Sequence, residues 1–247
     1  MKITSVQNET IKKYTLLKNK KNRDEAREFI IEGYHLVKEA LKTNLVKKIF
    51  YTDLKDINPE SIECIEVSDN VLAKLSFTSN PQGIVAIVSF FNNEIKLNEY
   101  KKVVALDKVQ DPGNAGTIVR SAKAFGFDAV FFSNDSVDIY NDKFIRSTQG
   151  YFFTIPFFYV DLKNTLLSLK ENDHTLIATH LSSSSKNPEE IDPNSKITLI
   201  LGNEGNGVSK EILDISDKNV IIPMVDGVDS LNVSIAGSIL MYLWRNK

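Results

Sequence analysis

Polar side chains and glycines gather in three stretches of the 247-residue chain: DPGNAGTIVR (111–120), GNEGNGVS (202–209) and IIPMVDGVDSLNVSIAG (221–237). In the first, Asn114 offers donors and acceptors together. Gly113 and Gly116 open backbone conformations closed to other residues. Arg120 is expected in the first turn or so of a following helix. A cation there is unfavourable to the helix dipole, so the position suits a residue that meets an anion; an exposed arginine on a helix face is the plainer account. The second stretch places Gly202, Gly205 and Gly207 close together, as a backbone approaching a ligand would, although a tight strand-to-helix turn accounts for any one of them. It lacks the Gly-Lys-Ser/Thr ending of a P-loop and the spacing of the GxGxxG fingerprint. Glu204 can accept hydrogen bonds within this loop or act on a substrate. In the third, Pro223 ends a strand. Ser230 or Asn232 can cap the next helix, or can face a ligand together with nearby backbone amides.

Loops of this kind need a frame. KVVALD (102–107), DAVFFS (128–133), HTLIATH (174–180), KITLILG (196–202) and KNVIIPM (218–224) read as strands. TIVRSAKAFG (117–126), 162–171, 209–215 and Asn232–Arg245 read as helices between or after them. Alternation of this sort implies an α/β fold with a mostly parallel sheet covered by helices on both faces. Ligands then sit beyond the carboxyl ends of the strands, where the three loops would meet. Residues before ~90 alternate differently. A helix capped by Asn8 or Thr10 carries Ile11, Tyr14 and Leu17. EFIIEG (28–33), 45–52 and 83–90 follow as strands, with a helix over Tyr34–Thr43. The polar stretch 91–102 is the expected linker, giving domains 1–95 and 96–247.

Composition narrows the class. Hydrophobic residues are 42% and charged residues 25%, an ordinary globular balance that excludes a disordered tail or a fibrous rod. Cys64 is the one cysteine, so no intrachain disulfide forms and a reducing compartment is the simplest setting. The three histidines, His35, His174 and His180, are far from it, leaving no His/Cys metal cluster by spacing, although a carboxylate-bound Mg2+ stays open. No run approaches a membrane span, and the first residues lack the apolar core of a signal peptide; a cytoplasmic protein is expected. The net charge of −2 argues against broad coating of nucleic acid. Residues 1–48, however, hold 12 Lys/Arg against six Asp/Glu, and KKYTLLKNKKNR (12–23) has six basic residues and no acid. This stretch is a solvated helix face or a phosphate-contacting patch.

The runs NAGTIVRSAKAFG, LILGNEGNGVS and IIPM…DSLNVSIAG, in that order, resemble the three motifs of the SpoU/TrmH family of RNA ribose 2′-O-methyltransferases over residues ~103–247. The opening SVQNETIKKYTLLKNKKNRDEAREFIIEGYHLVKEAL resembles the small L30e-like substrate-binding domain that precedes many of these catalytic domains. The resemblance implies an α/β SPOUT fold with a trefoil knot, S-adenosylmethionine as methyl donor, and a homodimer with active sites at the subunit interface. It implies a polar catalytic set at Asn114, Arg120, Glu204, Ser230 and Asn232. Donor-binding positions follow at Gly202, Gly207, Ile222, Met224, Leu231 and Val233, with Thr179 and His180 on a further donor-side loop. The basic segment, Lys12, Lys13, Lys18, Lys20, Lys21 and Arg23, becomes the expected RNA contact.

The implied reaction moves a methyl from a sulfonium to a ribose 2′-hydroxyl. The donor is activated by its own charge, so no metal is required. Positioning and stabilisation of the developing negative charge carry the rest. Arg120 is the central residue. It either binds the adjacent phosphate and the alkoxide, which is the cheaper role for a group with a pKa of ~12.5 or more, or loses its proton transiently. Ribosomal RNA, 23S in particular, is the expected substrate and transfer RNA the alternative. A noncatalytic RNA-binding or ribosome-assembly protein on the same fold is a further reading, opposed by the complete polar set. A Rossmann enzyme and a serine hydrolase fit less well: the glycine spacing is wrong, and no G-x-S-x-G elbow occurs.

Overall fold

The structure, a computed structural model, describes residues 2–245 apart from Glu60, Asn93, Ser183, Ser184, Pro193 and Asp229. Packing divides the chain into two units, residues 1–92 with 138–153, and residues 93–137 with 154–247.

In the first unit, Asn8 caps α1 (Glu9–Thr15) by accepting the Thr10 N–H at 2.9 Å. There follow α2 (Lys20–Ala26), β1 (Glu28–Glu32), α3 (Tyr34–Leu41), β2 (Val46–Tyr51), β3 (Glu63–Glu66), α4 (Asp69–Leu75) and β4 (Ile84–Ser89). The strands form one sheet in the order β1-β4-β2-β3, with β2 and β3 parallel and the other pairs antiparallel. Ile11, Tyr14 and Leu17 are buried as their helical spacing requires, in a core with Phe50, Val71, Leu75 and Ile87.

The second unit is built on six parallel strands. β5 (Lys102–Leu106), α5 (Pro112–Ala124) and β6 (Ala129–Ser133) come first. After α6 (Asp142–Ser147) follow β7 (Phe157–Val160), α7 (Leu162–Glu171), β8 (Thr175–Thr179), β9 (Ile197–Leu201), α8 (Lys210–Leu213), β10 (Lys218–Val220) and α9 (Val233–Leu243). The order is β10-β8-β9-β5-β6-β7, every pairing parallel. β5, β6 and β9 are buried along their whole length, as the centre of a parallel sheet must be when both faces are covered. The parallel α/β architecture expected from the alternation is therefore present. Sequence order reverses between β5 and β9, which makes the carboxyl ends of these strands the switch point.

Three elements differ from the expectation. The segment 138–153, assigned by the linear boundary at residue 95 to the second domain, packs in the first unit. Tyr140 stacks on Phe90 with ring centroids 3.6 Å apart, and Phe152 meets Phe29 edge-on at 5.5 Å. A boundary drawn once along the chain cannot show such an excursion. The strand expected over 218–224 ends at Val220, because 221–224 leaves the sheet. The helix expected over 117–126 starts at Pro112 instead. Asp111 caps it, accepting the Asn114 N–H at 2.9 Å, and proline occupies the first turn, where its missing N–H costs nothing. Among the described residues no helix is long and apolar enough to cross a membrane.

Candidate active site

The early start of α5 changes the roles of three residues. Gly113 and Gly116 are helical and need no left-handed backbone. Arg120 is more than two turns inside the helix, beyond the reach of the terminal dipole, so the dipole argument for it fails. What the early start does achieve is to put Asn114 in the first turn, directed at the loop that leaves β9.

That loop turns back on itself. Asn203 and Gly207 exchange backbone hydrogen bonds at 3.0 and 2.9 Å, and Gly207 has φ +69°. The close return explains Gly202: a Cβ there would lie 2.0 Å from the Gly207 carbonyl carbon and 2.1 Å from the Val208 nitrogen. Glu204, at the tip, accepts the backbone N–H of Gln110 at 3.2 Å and of Asp111 at 3.1 Å, and the Asn114 side-chain amide at 3.1 Å. Burial alone would push its carboxyl up, but the hydrogen bonds from Asn114, Asp111 and Gln110 outweigh it and hold the group below the ordinary glutamate value. Asn232 closes the chain of contacts. Its amide donates to Asn114 Oδ1 at 3.0 Å, while its own Oδ1 caps α9 through the N–H groups of Ser234 and Ile235 at 2.9 and 3.3 Å. Asn232 therefore caps α9 and at the same time joins Asn114.

Beside this polar link lies a cavity of about 410 Å3. Every expected donor-side residue lines it: Thr179 and His180 after β8, Gly202 and Gly207 after β9, Ile222 and Met224 after β10, and Leu231 and Val233 at the start of α9. Glu204, Ser230 and Asn232 line it too. Asn114 reaches it only through Glu204 and Asn232. Arg120 is exposed and is not part of its wall.

Residues 101–242, more than half of the chain, match the SpoU rRNA methylase family, and residues 8–86 match the MRM3-like substrate binding domain. The chain belongs to the SpoU rRNA methylase family. It is 37% identical to the 23S rRNA (guanosine(2553)-2′-O)-methyltransferase RlmP of Bacillus subtilis, over 98% of each chain. An AdoMet-bound rRNA methyltransferase from Sinorhizobium meliloti superposes with a TM-score of 0.89 at 30% identity, covering 99% of this chain and 97% of that one. A solved RNA 2′-O ribose methyltransferase gives 0.82 at 29%, covering 99% and 98%. The SpoU/TrmH resemblance, the methyltransferase class and S-adenosylmethionine as the donor of that chemistry are borne out.

The SpoU cavity suits such a donor. Its volume falls within the ~300–1,000 Å3 of small-molecule sites. Leu201, Ile222, Leu231 and Leu240 offer apolar walls, and residues 179–181 and 202–205 border the cavity. Among the described residues no group of three His, Cys, Asp or Glu side chains could hold a metal ion.

The basic stretch of the SpoU protein's first unit is not one uniform patch. Arg23 is 5% exposed; its guanidinium donates to the carbonyls of Leu17 and Lys18 and pairs with Asp138. It is a structural residue, and its expected place in an RNA contact is withdrawn. Lys18 donates to the Ser76 carbonyl at 2.5 Å; burial, and then the nearby charge of Lys74, lower its pKa. Lys20 and Lys21 pair along α2 with Asp24 and Glu25 at 2.7 and 3.9 Å, and Lys12 pairs with Glu9 at 3.2 Å. Lys13 lies over the Tyr14 ring, 5.1 Å from its centroid. With Lys18 committed to the Ser76 carbonyl, the exposed Lys12, Lys13, Lys20 and Lys21 remain as candidates for phosphate contact.

Sequence reasoning missed Asn203, whose side chain braces the Glu204 loop, and Asp107, buried at 2% exposure, which accepts the Ser209 N–H at 2.7 Å. Asn203 stands between Gly202 and Glu204, so its place in the motif was a signal. Asp107 ends an apolar strand, where a buried carboxylate needs a reason to be there.

Proposed function

We propose that this chain transfers a methyl group from S-adenosylmethionine to a ribose 2′-hydroxyl of 23S ribosomal RNA. The observation that carries the reading is the link Glu204–Asn114–Asn232, which ties the loops after β5, β9 and β10 together at the edge of the cavity. Similarity to the Bacillus subtilis 23S rRNA enzyme over nearly the whole chain supports the RNA class. A substrate of that kind fits a cytoplasmic protein.

When bound, the donor supplies an electrophilic methyl on a sulfonium centre. The chain's own residues do the remainder. Gly202, Gly207, Ile222, Met224, Leu231 and Val233, with Thr179 and His180, enclose the donor. The oxygens of Glu204 already accept three donors, so its carboxylate is a poor proton acceptor and serves to anchor Asn114. Asn114, Ser230 and Asn232 then orient the ribose. Arg120 meets the phosphate and the developing charge on the 2′-oxygen, whose proton passes to solvent as the methyl group arrives.

Arg120 does not line its own chain's cavity, so this role calls for a second copy. α9 offers the surface: Ile235, Ile239, Tyr242 and Leu243 are exposed at 50, 36, 49 and 37%, an apolar stripe of the kind that marks an interface. A homodimer buries it and completes each site with the partner's arginine. The trefoil knot belongs to the same proposal.

Calorimetry of S-adenosylmethionine binding, followed by tritium transfer to total RNA, tests the reading. Mapping 2′-O-methyl positions in cells with and without the protein identifies the RNA. Donor binding with no transfer to any RNA would leave a noncatalytic protein on the same fold.

A further inference from the structure

We infer that Asn203 is a positioning residue that fixes the entry to α5 by holding Lys108 in a left-handed backbone conformation. The inference rests on the methyl-transfer reading above but concerns a residue to which that reading gives no role.

Lys108 has φ +59°, a region that residues with a Cβ rarely adopt. Two side chains from separate elements hold it there. The Ser133 hydroxyl at the end of β6 accepts its N–H at 2.9 Å, and the Asn203 amide donates to its carbonyl at 2.9 Å. The Lys108 side chain contributes little: its ammonium is 3.7 Å from Asp135 and both groups are about half exposed.

Asn203 is equally committed on the other side. Its Oδ1 accepts the N–H groups of Gly205 and Asn206 at 2.9 and 3.1 Å, shaping the turn that lines the cavity. Asn203 and Glu204, adjacent in sequence, therefore grip one segment from one loop. Asn203 takes the Lys108 carbonyl; Glu204 takes the N–H groups of Gln110 and Asp111 and the side chain of Asn114. Strain stored at Lys108 is held in check by the loop that borders the donor cavity. Asn203 thereby couples the donor side to the ribose-orienting Asn114.

The two functions of Asn203 separate by substitution. Asn203→Asp keeps the oxygen that accepts from Gly205 and Asn206 but has no donor for the Lys108 carbonyl. The expected result is donor affinity within about threefold of wild type and kcat lower by about tenfold or more, the cost of a lost and opposed hydrogen bond. Glycine occupies φ > 0 freely, so Lys108→Gly in the Asn203→Asp background should recover several-fold in kcat. Hydrogen exchange at the Gln110 and Asp111 amides, faster in Asn203→Asp, reads the same coupling without RNA. An Asn203→Asp protein with wild-type kcat overturns the inference. So does a loss of donor affinity matching the loss of kcat, or a double variant no better than Asn203→Asp. A wild-type protein that methylates no RNA sinks the functional reading instead, while the exchange experiment still tests the loop.

Discussion

Asn114 and Glu204, ninety positions apart in the chain, are joined by a 3.1 Å hydrogen bond in which the amide donates and the carboxylate accepts. Asn114 spends its own oxygen on Asn232, 118 positions away in the chain. Each side chain thus uses one polar end to hold its neighbour, and none of the three is free to rotate without breaking a second contact. Preorganisation of this kind places donors before the reaction begins instead of during it.

Glu204 sets a pH dependence with a definite sign. Its carboxyl is held below the ordinary value in the folded protein: burial raises it, but the hydrogen bonds from Asn114 and from the Asp111 and Gln110 N–H groups lower it by more. A group depressed on folding stabilises above its unfolded pKa, and the contribution is lost as pH falls through the folded value. Wild type should therefore exceed Glu204→Gln in stability at neutral pH, and the gap should close below pH ~4. Urea unfolding at several pH values checks this; a gap that stays constant from neutral to acid would remove the carboxylate from the argument.

Gly202→Ala should weaken donor binding while leaving the first unit intact. The added Cβ would meet backbone atoms of Gly207 and Val208, which cannot give as a side-chain end would. The loop must open, at the ~1–3 kcal/mol typical of overpacking, and the cavity it borders loses its shape. Calorimetry should show donor affinity weaker by about tenfold or more. Gly205→Ala is the control: the nearest atom a Cβ there would meet is Asn203 Oδ1 at 3.6 Å, so donor affinity should change little.

The basic segment makes opposite predictions for neighbouring residues. Arg23→Ala leaves Asp138 without its partner in a mostly buried setting, and breaking a buried pair costs roughly 3–5 kcal/mol. Thermal unfolding should report that loss. Neutral replacements at Lys12, Lys13, Lys20 and Lys21 should leave stability nearly unchanged and flatten the salt dependence of RNA binding. An unchanged salt slope would return these lysines to the role of a solvated face.

The parallel sheet was legible because central strands such as VVAL in β5 and AVFF in β6 are buried on both faces and must read as apolar runs. The residues that line the cavity were legible through the likeness of three loops to the family's motifs, and the close return at Gly202 gives one of those glycines its physical reason. Other parts carried weaker signals. β3 and β7 have four residues each, too short for a period to show, and α6 lies in a segment whose aromatic residues pack on a distant part of the chain. The start of α5 was misplaced because DPGN reads equally as a turn and as a capped helix start. Asp111 decides it, through a hydrogen bond that spacing alone does not reveal. Arg23 was misread because its charge was counted and its burial partner, Asp138, lies 115 positions away.

Arg120 offers the sharpest test of the dimer. Arg120→Ala should bind S-adenosylmethionine as wild type does, since the residue lies outside the cavity wall, and should lose methyl transfer. Gly202→Ala, assayed at a donor concentration well below its weakened affinity, should lose transfer for the other reason, its donor loops being left unfilled. If each arginine serves its own chain, a mixture of the two variants stays inactive. If it serves the partner across the α9 interface, a mixed dimer contains one intact site, with donor loops from the Arg120→Ala chain and the arginine from the Gly202→Ala chain. Random exchange at equal amounts should then restore activity to about a quarter of all sites, as twofold symmetry dictates. Ile235→Asp with Ile239→Asp should prevent the restoration by keeping the chains apart, with sedimentation showing monomers. An inactive mixture in which mixed dimers are shown to form would return Arg120 to its own subunit or remove it from the mechanism.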